Sequence, residues 1–169
     1  MKLIASFQVD HTRIVPGIFV SRRDKIVGGW ITTFDIRMKR PNVEPAVHPN
    51  AMHTIEHVVA TYLRNSHFGE HVVYWGPMGC LTGFYFLVKT EHEIQPREIA
   101  KLMRDAFRHM ADYEGEVPGA TPVNCGNYLL HDLPMAKWEA SAFLSRKWKF
   151  SYPKAERAKA AGGRTFFDA

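Results

Sequence analysis

The chain has 169 residues, 46% of them hydrophobic, which suits a single domain with its own core. No apolar run approaches the roughly 20 residues of a membrane helix, and repeats and low-complexity stretches are absent, so membrane-spanning, fibrous and solenoid classes are excluded. The net charge of +5 sits in the C-terminus, where Arg146, Lys147, Lys149, Lys154, Arg157, Lys159 and Arg164 face Glu156 and Asp168. It is a basic tail on a balanced fold, and nucleic acid is not an expected partner. The expected organisation is one domain over 1–147 and a basic extension over 148–169. The first residues lack the basic-then-apolar layout of a secretory signal, so a cytoplasmic location with free thiols is expected.

In chain order, strands are expected over 13–20 and 26–38. In the second, Trp30, Phe34, Ile36 and Met38 alternate onto one face while Asp35 and Arg37 share the other. Taken by themselves, Asp35 and Arg37 read as a solvated ion pair on a strand surface. A helix follows over 51–65, opened by an Asn50 cap after Pro49. Within it His53 and His57, four residues apart, lie one above the other on the same face, where two imidazoles can hold one divalent metal. Glu56 stands about 60° around the axis from His53, near enough to act on what the metal binds. The plain alternative is a helix with two surface histidines.

Strands over 70–76 and 81–89, joined by Gly76-Pro77-Met78-Gly79, read as an antiparallel pair with Cys80 at the end of the turn. A helix over 96–112 shows a core face of Ile99, Leu102, Met103, Ala106 and Met110, with Pro96 in its first turn. A loop rich in Pro, Asn and Gly carries Cys125, and a last helix is expected over 134–147. The sum is an α+β fold, an antiparallel sheet with helices packed on one face.

Catalytic metal sites usually have three protein ligands and one open position. Cys125 is placed to be the third, because a loop can carry a thiolate to a helical His pair. The two cysteines, Cys80 and Cys125, also fit a disulfide or two buried thiols. His53-x-x-Glu56-His57 is shared with a class of metallopeptidases, in which Glu139 would be the third ligand. A closed structural zinc site would instead recruit Cys80 as a fourth. A His₂Cys set accepts Fe(II), Zn(II) or Co(II).

These motifs, in this order, resemble the S-ribosylhomocysteine lyase (LuxS) family over residues 4–145. The matching segments are Ser6-Phe-Gln-Val-Asp10-His11-Thr12, Phe34-Asp-Ile-Arg37, Arg40-Pro-Asn42, His53-Thr-Ile-Glu56-His57, Pro77-Met-Gly-Cys80, Thr82-Gly-Phe-Tyr85, Cys125-Gly126 and Leu130-His-Asp-Leu133. The resemblance implies a sandwich of the LuxS and metallopeptidase type, with His53, His57 and Cys125 as ligands, usually to Fe(II). It implies Cys80 and Glu56 as proton-transfer residues, Ser6, His11 and Arg37 as substrate contacts, and a homodimer with active sites at the subunit interface. The implied reaction splits S-ribosylhomocysteine into homocysteine and a dihydroxypentanedione, the autoinducer-2 precursor. The chain departs from the family at Tyr74 and Gly76, where most members carry Asp and Ser before the Pro-Met-Gly-Cys turn.

Overall fold

A computed structural model describes residues 9–153. Ser6 and the tail beyond 153 lie outside the described residues. Four strands, β1 (Gly17–Ile26), β2 (Gly29–Arg37), β3 (Val72–Pro77) and β4 (Gly83–Thr90), form one antiparallel sheet in the order β1-β2-β4-β3. Three helices, α1 (Pro49–Asn65), α2 (Ala100–Asp112) and α3 (Leu133–Leu144), pack together and onto one face of it.

The period-2 alternation of β2 decides which face that is. Phe34 and Ile36, with Phe84, Phe86 and Val88 of β4, enter the core against Met52, Ile55, Val58 and Val59 of α1. Trp75 of β3 stacks on Phe84 with ring centres 4.5 Å apart. Asp35 and Arg37 therefore point to the outer face, away from the helices. Ile55 is fully buried at the centre of the α1 contact. Ile55→Ala should cost about 2–5 kcal/mol through lost burial and a cavity, and lower Tm by roughly 5–15 °C in a melt followed by circular dichroism.

Several boundaries differ from the sequence expectation. β1 runs on through Ile26, because Arg22 to Lys25 pair with β2 although their side chains are polar. The hairpin then turns on Val27-Gly28, where Gly28 adopts a φ of 78° that a β-branched residue would resist. His48, not Asn50, caps α1. Its Nδ1 accepts from the Asn50 N–H, and Pro49 takes the first helical position, where its missing N–H is not needed. Residues 96–99 form tight turns before α2 begins, with Glu98 and Ala100 N–H groups donating three residues back. Asp132 caps α3 by accepting from the Met135 N–H at 2.9 Å.

Beyond α3 the chain returns to the sheet. Trp148 is buried and donates from Nε1 to the Phe143 carbonyl. Lys149 forms a parallel bridge with Gly17, the Ile18 N–H donating to Lys149 O at 2.8 Å. A Cβ at Gly17 would collide with the Lys149 backbone, so the close approach needs glycine. Tyr152 then stacks on Phe19 over the outer face.

Candidate functional site

The core-facing residues of α1 leave His53 and His57 on the side of the helix turned away from the sheet. His53 Nδ1 donates to the Leu130 carbonyl at 2.8 Å and His57 Nδ1 to the Pro118 carbonyl at 2.7 Å. A carbonyl can only accept, so both rings carry their proton on Nδ1 and present a bare Nε2. The loop before α3 brings Cys125 Sγ to 3.5 Å from His53 Nε2. That separation matches the edge of a tetrahedron with bonds of about 2.0 Å to nitrogen and 2.3 Å to sulfur.

A fourth donor was not among the sequence candidates. His131 stacks on His53, with ring centres 4.3 Å apart. Thr54 Oγ1 donates its one proton to the Asn50 carbonyl, so it must accept from the Asp132 N–H and from His131 Nδ1. His131 Nε2 is then a bare acceptor, buried and without a hydrogen-bond partner among the described residues. Burial, aided by the two neighbouring imidazoles, lowers its pKa to about 4, which keeps the ring neutral at pH 7. The ligand atoms of His53, His57, Cys125 and His131 all lie within 4.8 Å of one another. Three imidazole nitrogens and a sulfur converging within this distance suit a divalent cation, and the cluster can hold one. The only sequence signal for His131 was its place in Leu130-His-Asp-Leu133.

Glu56 is half-buried beside the His pair. Burial raises its carboxyl above the ordinary range, and the neighbouring His53 and His57 only partly oppose this.

A second constellation occupies the outer face of the sheet. Asp35 and Arg37 are 2% and 3% exposed, so the expected solvated pair is a buried one. The cover comes from elements remote in sequence, among them Ile14 and Tyr152. The carboxylate takes two bonds from the guanidinium, Nε to Oδ1 at 3.0 Å and Nη2 to Oδ2 at 2.5 Å. Arg37 Nη1 donates to Thr82 Oγ1 at 2.6 Å, which leaves the Thr82 hydroxyl proton for Cys80 Sγ at 3.1 Å. Nη1 itself lies 3.8 Å from the sulfur. Burial pushes the Cys80 thiol up, but the Thr82 hydrogen bonds and the Arg37 charge outweigh it, and the net shift is downward. His11, its Nδ1 at 2.8 Å from the Val9 carbonyl, borders a cavity of about 30 Å³ shared with Asp35, Arg37, Tyr85 and Tyr152.

The sequence candidates thus fall into two groups. His53, Glu56, His57 and Cys125 gather on the far side of α1, while Arg37, Cys80 and His11 gather on the sheet face turned away from α1. Both cysteines are free thiols, so no disulfide joins the groups. Glu139, the metallopeptidase ligand candidate, is buried in an ion pair with Lys39 at 2.6 Å and stands outside the cluster. Cys80 is also outside it, so one chain does not by itself form the His₂Cys₂ arrangement.

Comparison with known proteins finds relatives over most of the chain. The family model described as S-ribosylhomocysteinase (LuxS) matches residues 4–153. The S-ribosylhomocysteine lyase of Phocaeicola vulgatus is 59% identical over 145 residues, 85% of this chain and 89% of the relative. The lyases so named in Porphyromonas gingivalis and Clostridium beijerinckii are 54% and 47% identical, covering 85% and 86% of this chain and 90% and 91% of their own. On a match that spans nearly all of the described residues and both constellations, the chain belongs to the S-ribosylhomocysteinase (LuxS) family.

Proposed function

We propose that this chain is a metal-dependent S-ribosylhomocysteine lyase, releasing homocysteine and 4,5-dihydroxypentane-2,3-dione by carbonyl migration and β-elimination in the cytoplasm. The observation that carries the reading is the convergence of ligand atoms from His53, His57 and Cys125, with Glu56 beside them, in a chain of this family. These three would hold the metal, Fe(II) first, with Zn(II) and Co(II) accepted by the same donor types. A bound divalent metal supplies Lewis-acid polarisation of the sugar carbonyl and its neighbouring hydroxyl.

The chain's own residues do the proton work. Moving a carbonyl along a sugar and expelling a thiol β to it both require protons to leave carbons beside a carbonyl and return elsewhere. Cys80, its thiol lowered, takes a proton at one carbon, and Glu56, its carboxyl raised, serves another. Opposite shifts bring both groups toward neutral pH, where acid–base exchange is most effective. Ser6, His11 and Arg37 are the proposed substrate contacts.

Cys80 and the metal cluster face opposite ways within one chain, with the sheet and α1, itself about 10–12 Å thick, between them. We therefore propose a homodimer in which the Cys80 face of one chain meets the metal cluster of the other. The exposed apolar side chains of Val123, Leu129, Met135 and Trp138, on the Cys125 loop and the start of α3, support this.

At the departure from the family, the Tyr74 phenol lies across Gly76 on the outer face, and a Cβ at Gly76 would collide with it. The two replacements belong together. If the family acid holds the substrate ammonium, Tyr74→Asp should lower KM about ten-fold or more, since a charge-assisted hydrogen bond contributes ~1.5–3 kcal/mol. The turnover number should move less, because that end of the substrate undergoes no bond change. A raised KM would mean that the ring has taken over recognition.

The function itself is tested by an anaerobic assay of Fe(II)-loaded protein with S-ribosylhomocysteine, reading free thiol. Thiol release that stops on metal removal and returns on reloading is expected. Metal-loaded protein that releases none would overturn the reading.

A further inference from the structure

We propose that Tyr152, in the segment that follows α3, is a positioning residue for the Cys80 thiol, acting through Asp35 and Arg37. Its place in turnover rests on the lyase reading; its action on the thiol does not. The Tyr152 hydroxyl donates to Asp35 Oδ2 at 2.9 Å, across 117 positions of sequence. The same oxygen accepts from Arg37 Nη2, and the opposite edge of that guanidinium holds Thr82 and faces Cys80. Four side chains, Tyr152, Asp35, Arg37 and Thr82, thus link the C-terminal segment to the thiol; the bonds between them are 3.0 Å or shorter, and sulfur lies 3.1 Å from Thr82 and 3.8 Å from Arg37.

The segment is built to keep this contact. Trp148 anchors it in the core, Lys149 bonds to both neighbours of Gly17, and the Tyr152 ring stacks on Phe19 with centroids 4.6 Å apart and planes 12° off parallel. Burial, and then the Asp35 charge, hold the phenol protonated far above neutral pH, so it remains a donor throughout the working range.

The phenol shares the charge of Asp35. With it, part of that carboxylate's demand is met by a neutral donor, and the guanidinium keeps its position toward Thr82 and Cys80. Without it, a buried carboxylate oxygen loses a partner, draws the guanidinium toward itself and leaves the thiolate less supported. Among the described residues, the titratable groups on this side of Cys80 are Arg37, with Asp35, Tyr85, Tyr152 and His11 behind it.

The test is peptide-resolved alkylation of Cys80 by iodoacetamide as a function of pH, on metal-loaded protein, for wild type, Tyr152→Phe and Tyr152→Ala. Tyr152→Phe keeps the ring on Phe19 and removes only the hydroxyl. It should move the Cys80 midpoint upward and slow alkylation at pH 7 about 3- to 10-fold, with metal content unchanged. Tyr152→Ala should show the same midpoint shift with a larger loss of Tm than Tyr152→Phe, because the stacking on Phe19 goes as well. A Tyr152→Phe profile that superimposes on wild type, with or without a fall in Tm, assigns the tyrosine to packing and overturns the proposal. Thiol release is followed in parallel. If wild type releases none, the lyase reading fails, and the alkylation profiles still decide the role of Tyr152.

Discussion

His57→Ala is expected to yield a folded protein that has lost most of its bound metal and, with it, turnover. His57 is fixed by protein contacts, its Nδ1 on the Pro118 carbonyl and its ring against His53 at 4.6 Å. Fixed rings lose little freedom on binding, so each contributes strongly to affinity. Removing a ligand or the bond that orients it typically weakens metal binding by one to several orders of magnitude, so metal content by elemental analysis should fall below about a tenth of wild type. His53→Ala should do the same. His131→Ala separates an open site from a closed one. If His53, His57 and Cys125 are the ligands, it keeps most of its metal; if all four donors close the site, it loses metal as the others do. Full metal content in His57→Ala would remove the ligand assignment.

Cys80→Ala and Glu56→Gln should show the opposite combination, full metal and lost thiol release. Each deletes a proton carrier, and general acid–base groups contribute about 10²–10⁴ in rate. The pH dependence follows from the two shifts. A lowered thiol is ionised further toward neutral pH than an ordinary cysteine, and a raised carboxyl keeps its proton further up. The expected kcat/KM profile is bell-shaped around neutrality, and Glu56→Gln should abolish the limb that belongs to the carboxyl. Near-normal thiol release in either variant would remove that residue from the reaction.

What the sequence disclosed and what it withheld follow one physical line. Spacing within a single element was enough to put His53 and His57 on one face of α1 and Asp35 and Arg37 on one face of β2, because helical and strand periods are local. The burial of Asp35 and Arg37 was not legible, since Tyr152 lies 117 residues from Asp35 and no local pattern announces it. His131 was missed for the same reason. Its bare Nε2 depends on a Thr54 hydroxyl 77 residues away that has already spent its proton on Asn50. β1 extends further than its sequence suggests, because Ser21 to Lys25 are polar on a strand whose pairing with β2 sets its length. The start of α2 was placed too early because Pro96 suits a first helical turn and a tight turn equally well.

The assembly of one active site from two chains is tested most directly by mixing two inactive variants. Differently tagged Cys80→Ala and His57→Ala chains are coexpressed, and the mixed dimer is purified through both tags. If the Cys80 face of one chain serves the metal cluster of the other, the mixed dimer holds one site with both defects and one with none. It should then release thiol from S-ribosylhomocysteine at about half the wild-type rate per dimer. A mixed dimer no more active than its two parents would mean that each site is completed within a single chain, contrary to this account.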